Sequence, residues 1–217
     1  MDQHLQDSIV KTGVTIGIIG IMFYCIILHE ISHALVALWL GDDTAKRQGR
    51  MSLNPIKHID MFGTVIMPLI LYFTAGFIWG YAKPVPINPH NFVNYKRDMG
   101  LSALAGPVTN VMIAIVFALV YHLLQGFALF QSIAYMVVFF NLLLAFFNLI
   151  PIPPLDGSKV LGIFLPDQAY FKWTAQERKG MFALFIIIIA SQLLGLNAIG
   201  SVVLPPVKFI MNLLGIG

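Results

Sequence analysis

The sequence is short of charge. Asp, Glu, Lys and Arg make up 11% of its 217 residues, against roughly 25% in an ordinary soluble domain. That shortage excludes a soluble globular enzyme and a disordered chain, both of which need far more charged or polar surface. The net charge of +3 is small and scattered, so no phosphate-binding face forms and nucleic acid is excluded as a partner. Cysteine is almost missing. With Cys25 alone, an intrachain disulfide and a cysteine-rich zinc finger are both ruled out. Six histidines and a few acids, only two of them glutamate, are left as metal ligands. Apolar residues are what the chain has in excess, at 58%, with a mean hydropathy of +0.82. The expectation is a polytopic protein embedded in a lipid bilayer.

Residues 1–8 are polar, and the apolar run from Ile9 is followed by no small-residue cleavage pattern. The first apolar segment is therefore expected to stay as a span rather than be removed as a signal peptide. A bilayer core needs about 20 apolar residues in helical form. Residues 9–28 meet that, and the helical pattern runs on through His29 to Leu40, stopping at Gly41-Asp42-Asp43. Further apolar segments lie at 62–79, 101–124, 132–150 and 181–204. The fourth ends in Pro151-Ile152-Pro153-Pro154, and the last is expected to stop at Pro205-Pro206, leaving 208–217 as a short tail. No repeat or separate soluble domain is visible, so 1–217 reads as one transmembrane domain.

Basic residues orient these segments. If 62–79 dips into the membrane and returns, the loops 41–61, 80–100 and 151–180 share one side. They hold 11 of the 13 Lys and Arg residues, leaving Lys11 and Lys208 opposite. The positive-inside rule then makes that side cytoplasmic. A re-entrant segment needs protein or water around its backbone, and Gly63, Pro68 and Gly76 suit it to such a place.

His29-Glu30-Ile31-Ser32-His33 is an H-E-x-x-H motif. About 0.0015 copies are expected by chance in this composition. Residues four apart stack on one helix face, so both imidazoles can reach one Zn²⁺. Glu30 sits about 100° around the helix from His29, beside a metal and able to take a proton from water. Bare polar residues at a helix end are the plainer reading, but a Glu and two His at membrane depth are costly without a purpose. A catalytic zinc takes three protein ligands and leaves one position open. His58 and Asp60 are candidates for the third. Asp156 is the better one, because the parity of the spans brings it to the level of His29 and His33 only when 62–79 is re-entrant. Asp156 could also cap the segment that follows it.

The motif His29-Glu30-Ile31-Ser32-His33 followed by Pro153-Pro154-Leu155-Asp156-Gly157 resembles the site-2 protease family of intramembrane zinc metalloproteases. The similarity extends to residues 49–60, to Gly80-Tyr81-Ala82-Lys83-Pro84-Val85-Pro86-Ile87-Asn88-Pro89 and to Ala105-Gly106-Pro107-Val108-Thr109-Asn110. The segments match short prokaryotic members, and neither a PDZ nor a CBS domain is present. Where members read Asn-Pro-Asp-Gly, this chain reads Pro154-Leu155-Asp156-Gly157. The resemblance implies one Zn²⁺ per chain on His29, His33 and Asp156, and Glu30 as general base. It implies a transmembrane protein as substrate, and a multi-pass place in a prokaryotic plasma membrane with the active site toward the cytoplasm. The expected fold is all-α, with about five transmembrane helices, a re-entrant segment and short extended strands near the active site.

Asn148 is the last polar residue of its span and has two readings. It could donate to a developing oxyanion, or bond carbonyls freed by the prolines after it. Asn110 and Asn141 read as interhelical hydrogen-bond formers, Cys25 as a small buried residue or a thiolate ligand. His58 and Asp60 are either partners of a ligating imidazole or caps of the re-entrant segment. Residues 83–89, with prolines at 84, 86 and 89, form either an extended edge for a substrate backbone or a plain connector. The competing function is a non-enzymatic metal-binding scaffold or transporter. A transporter is expected to show paired halves, which this chain lacks.

Overall fold

A computed structural model describes residues 3–76 and 80–216. The described residues form helices and connecting segments, with no strand among them. Helix α1 (Gln3–Trp39) has 37 residues, about 55 Å at 1.5 Å per residue, far more than a bilayer core of about 30 Å. Its last turn closes at Gly41, whose φ of +108° suits glycine. A short helix α2 (Thr44–Arg47) follows. The apolar segment opens with a π-helical stretch, Met61–Ile66, and continues as α3 (Met67–Ala75), which ends at Gly76. Its two ends lie side by side: the Tyr81 N–H donates to the Gly63 carbonyl at 3.0 Å, and the Thr64 hydroxyl donates to the Tyr81 carbonyl at 2.9 Å. Residues 77–79 of the expected 62–79 segment lie outside the described residues.

Helices α4 (Tyr95–Leu123) and α5 (Ala128–Asn148) form an antiparallel pair. The Asn94 side chain caps α4 by accepting from the Arg97 N–H, and Asp98 accepts in return from the Asn94 N–H, a reciprocal cap of the kind that fixes helix starts. Small helices α6 (Asp156–Gly162) and α7 (Asp167–Thr174) precede α8 (Glu177–Leu193) and α9 (Ala198–Leu213). Among the described residues, 12–39, 95–123 and 128–148 are long and apolar enough to cross a membrane.

The core explains the arrangement. Ala114 and Ala118 on α4 let α5 and α9 approach closely, and Val138, Leu142, Val203, Val207 and Met211 fill the space between them. Further toward the start of α4, Ser102, Gly106 and Asn110 continue the same four-residue row and are all buried. They face Cys25, His29, His33 and Ala37, which recur every four residues on α1 and are buried too. Two stripes of small and polar side chains thus hold α1 against α4, as membrane helices commonly do.

Three expectations change. The apolar run 181–204 is two helices rather than one span: Gly195 turns with φ +63°, and the Leu196 N–H closes the end of α8 on the Ser191 carbonyl at 2.8 Å. Pro205 and Pro206 lie inside α9 rather than ending it, and 208–213 of the expected tail are helical, with Met211 and, beyond the helix, Ile216 in the core. Residues 80–88 are extended but pair with no strand. Prolines at 84 and 86 have no N–H to give a ladder.

Candidate metal centre

His29 and His33 project from one face of α1 toward α4, their rings edge to face with centroids 4.6 Å apart. Each imidazole is pinned through Nδ1. His29 Nδ1 donates to the Asn110 side-chain oxygen at 2.5 Å, and His33 Nδ1 donates to the Ser102 carbonyl at 2.8 Å. The Ser102 hydroxyl closes the second pair by donating to the His33 carbonyl at 3.0 Å. Asn110 is itself held in one orientation. Its amide donates to the Asn141 side-chain oxygen at 2.8 Å, and the Asn141 amide donates to the Val137 carbonyl at 2.8 Å and to Cys25 Sγ at 3.3 Å. This run of bonds crosses α4, α5 and α1. It fixes the tautomer of His29 with the hydrogen on Nδ1, as partners of ligating histidines do.

Both Nε2 atoms therefore present lone pairs, and they face each other at 3.0 Å. Asp156, the first residue of α6, brings its Oδ2 to 3.2 Å from His29 Nε2 and 3.4 Å from His33 Nε2. The turn before α6 places it there, and the N-cap position of that helix is taken by Leu155 rather than Asp156. Three buried atoms that can each offer a lone pair converge, an arrangement that one cation would satisfy.

Glu30 stands beside this cluster, on the wall of a cavity of about 480 Å³. Its Oε2 accepts from the Val85 backbone N–H at 2.9 Å. The rest of the wall is largely apolar, with Ile26, Leu144, Phe147, Met181 and Leu184. Asn148 is on the wall as well, and its amide donates to the Leu144 carbonyl at 3.0 Å. An amide nitrogen carries two hydrogens, so this bond leaves one for the cavity.

His58 and Asp60, the other candidate third ligands, lie elsewhere. His58 Nε2 donates to the Ser52 carbonyl, and the Asp60 carboxylate caps the 61–66 helix on the Phe62 and Gly63 N–H groups. Cys25 is buried and meets Asn141 rather than the cluster.

The extended segment is tied down along its length. Lys83 N–H donates to the His58 carbonyl, and the Arg50 guanidinium donates to the Lys83 and Pro84 carbonyls. Asn88 N–H and the Asn91 amide donate to Asp42, which is buried at the end of α1. Burial pushes the Asp42 carboxyl up, but hydrogen bonds from Thr44, Asn88 and Asn91 outweigh it and hold the group below the usual carboxylate range. Of the N–H groups from 83 to 89, those of Lys83, Val85 and Asn88 are taken, and prolines 84, 86 and 89 have none. Of these donors Ile87 alone is left to pair with an incoming backbone, beside the carbonyls of Val85, Pro86 and Ile87, so the edge this segment presents consists mainly of acceptors.

Gly106 is the closest approach of α4 to the cluster. A Cβ there would sit 2.5 Å from His29 Cε1 and from His33 Cε1 and Nε2. Both rings are pinned and cannot retreat. Gly106→Ala is expected to destabilise the protein by about 1–3 kcal/mol, the usual range for overpacking, and to lower its metal content. Thermal unfolding in detergent and metal analysis check this; an unchanged melting temperature with full metal would contradict the packing described.

Sequence reasoning gave no supporting role to Ser102, Gly106 or Val85, although the last two stand in segments that carry the family resemblance. The first two had a signal, the four-residue recurrence of small and polar residues in an apolar helix. A backbone N–H such as that of Val85 leaves none.

The sequence model of peptidase family M50 matches residues 127–191, which contain α5, α6 and Asp156. A Bacillus subtilis protein named "Putative zinc metalloprotease YwhC" is 37% identical over 188 residues, 82% of this chain and 80% of that protein. "Putative zinc metalloprotease Rip2" of Mycolicibacterium smegmatis is 27% identical over 186 residues, 83% and 70% of the two chains. "Putative zinc metalloprotease MJ0611" of Methanocaldococcus jannaschii is 38% identical over 95 residues, 43% and 50%. No solved structure matches. With 37% identity along about four-fifths of both chains, the chain belongs to peptidase family M50, the site-2 protease family.

Proposed function

We propose that this chain is an intramembrane zinc metalloprotease. It hydrolyses peptide bonds within or near transmembrane helices of other membrane proteins, with its active site open to the cytoplasmic side of a prokaryotic plasma membrane. One Zn²⁺ per chain is held by His29, His33 and Asp156.

The observation that carries this reading is the convergence of three buried lone-pair atoms 3.0, 3.2 and 3.4 Å apart. A tetrahedral zinc with bonds of about 2.0–2.2 Å has its ligand atoms roughly 3.3–3.6 Å apart, so the donor set fits the ion with little movement. Bound there, zinc supplies Lewis-acid polarisation of a carbonyl and activates water. Glu30 takes a proton from the attacking water and returns it to the leaving amine. The second Asn148 amide hydrogen is available to an oxyanion.

The cavity also speaks to the substrate. A helix about 10–12 Å wide, rising 1.5 Å per residue, would place only about three or four residues in 480 Å³. The space therefore takes a short stretch of substrate rather than the length of a transmembrane helix. Its apolar walls match the side chains such a stretch would carry.

The pairing of Gly63 and Thr64 with Tyr81 supports a segment that enters and leaves the membrane on one side. With that return, the basic residues from Lys46 to Lys179 fall on one side of the membrane, and Lys159 lines the cavity itself, as an active site toward a cytoplasmic face requires.

The test is cleavage in liposomes. The purified protein is co-reconstituted with a panel of single-span membrane proteins whose helices contain Gly, Pro or Asn. Fragments are expected with zinc, are expected to vanish with a chelator, and to return when Zn²⁺ is restored. A folded, zinc-loaded protein that cleaves none of the panel would favour a scaffold or transporter.

A further inference from the structure

The Val85 N–H sits where the proposed chemistry needs order. Glu30 has a flexible side chain on the wall of an open cavity, and only one of its oxygens is held, Oε2 by Val85. Val85 lies between Pro84 and Pro86, so it supplies the one backbone donor in that triplet. The two prolines restrict the backbone on either side, which aims the Val85 N–H before any substrate arrives. Anchors flank the triplet: Lys83 and Pro84 on His58 and Arg50, and Asn88 on Asp42. The Val85 side chain is buried against Ala34, which is one turn beyond Glu30 on the same face of α1. The side chain therefore adds to the anchors that hold the segment against α1, and the amide reaches back to the carboxylate.

We infer that the Val85 backbone N–H is a positioning group for Glu30: it ties Oε2 to the anchored segment and leaves the other carboxylate oxygen to meet water and substrate. This rests on the reading of Glu30 as general base. Val85 does not touch the reacting atoms. Its effect passes through the orientation of Glu30, and misplacing a reacting group by about 1 Å can cost 10²-fold in rate.

Two measurements on the full-length protein test the inference. The first needs no activity. Amide hydrogen exchange is followed in a peptide covering 84–86, where Val85 carries the one exchangeable backbone hydrogen. Glu30→Ala is expected to speed that exchange at least about tenfold, while Glu30→Gln, which keeps an acceptor oxygen, has a smaller effect. Unchanged exchange in Glu30→Ala would overturn the contact. The second is kinetic. Val85→Pro removes the N–H and keeps an apolar side chain, whereas Val85→Ala keeps the N–H and loses packing. Val85→Pro is expected to lower kcat by about 10–100-fold with KM and zinc content unchanged, and Val85→Ala to lower it less. A wild-type kcat in Val85→Pro would overturn the role, and a raised kcat would make the contact a restraint on Glu30 instead. If Val85→Pro does not fold, the exchange result and a Val85→Ala kcat near wild type carry the test, and a Val85→Ala kcat that falls 100-fold contradicts it. Glu30→Gln is assayed alongside: full cleavage by that variant removes the general-base reading itself, whereas a dead Glu30→Gln with an unaffected Val85→Pro removes the positioning role alone.

Discussion

Glu30→Gln yields a folded, zinc-loaded protein whose cleavage rate falls by about 10²–10⁴-fold, the usual contribution of a general acid–base group. Three observations lead to this result. Glu30 is not one of the three converging atoms, so the ion does not depend on it. The contact it does make, from the Val85 N–H, needs only an acceptor oxygen, and a Gln side chain retains one. The segment at 83–88 therefore keeps its place. Removing a charge at membrane depth costs no stability. The lost function is the ability to take a proton from water and give it to the leaving amine. Rates of fragment formation and zinc per chain, measured on the same preparation, check both halves. Cleavage near the wild-type rate would take Glu30 out of the chemistry. Loss of zinc would make it a ligand or a support of one.

Asp156→Ala weakens zinc binding by more than about 100-fold, beyond the 10–100-fold that loss of an outer partner of a ligand typically costs. The carboxylate is the one anion that meets the two imidazoles, at 3.2 and 3.4 Å. Without it, two neutral nitrogens remain, short of the three protein ligands a catalytic zinc uses. The control is Asp60→Ala, which removes an acid from the other candidate region. Asp60 caps the 61–66 helix, so this variant is expected to lose up to about 2 kcal/mol of stability and to keep its zinc affinity. Titration against a competing chelator dye measures both. Wild-type affinity in Asp156→Ala would break the proposed ligand set.

The helix of the proposed zinc ligands was legible because its signal is local. Residues 29, 30 and 33 share one helix, and the spacing of four fixes which side chains meet. Asp156 lies far along the chain, yet the count of spans and the basic loops brought it to the same level. The structure places it there. What stayed hidden depends on long-range pairing. Asn110 read as an interhelical residue, but that its partner is His29 follows only from how α1 and α4 face each other. The break between α8 and α9 was masked by a run that is apolar on average, although Ser191, Gln192, Gly195 and Asn197 mark it. Pro205 and Pro206 misled in the opposite direction, because a helix packed in a core, here through Val203, Val207 and Met211, tolerates prolines that would end it in water. The extended stretch 80–88 carried a strand expectation that its own prolines undo.

A water-using site that cuts peptide bonds inside the membrane leaves its mark on the substrate. The most direct measurement is the position of the cut, read by mass spectrometry of both fragments from a single-span protein cleaved in liposomes. The account predicts a new terminus within the apolar stretch or at its cytoplasmic edge, abolished in Glu30→Gln. Cuts confined to soluble flanks, or cuts unaffected by that substitution, would contradict it.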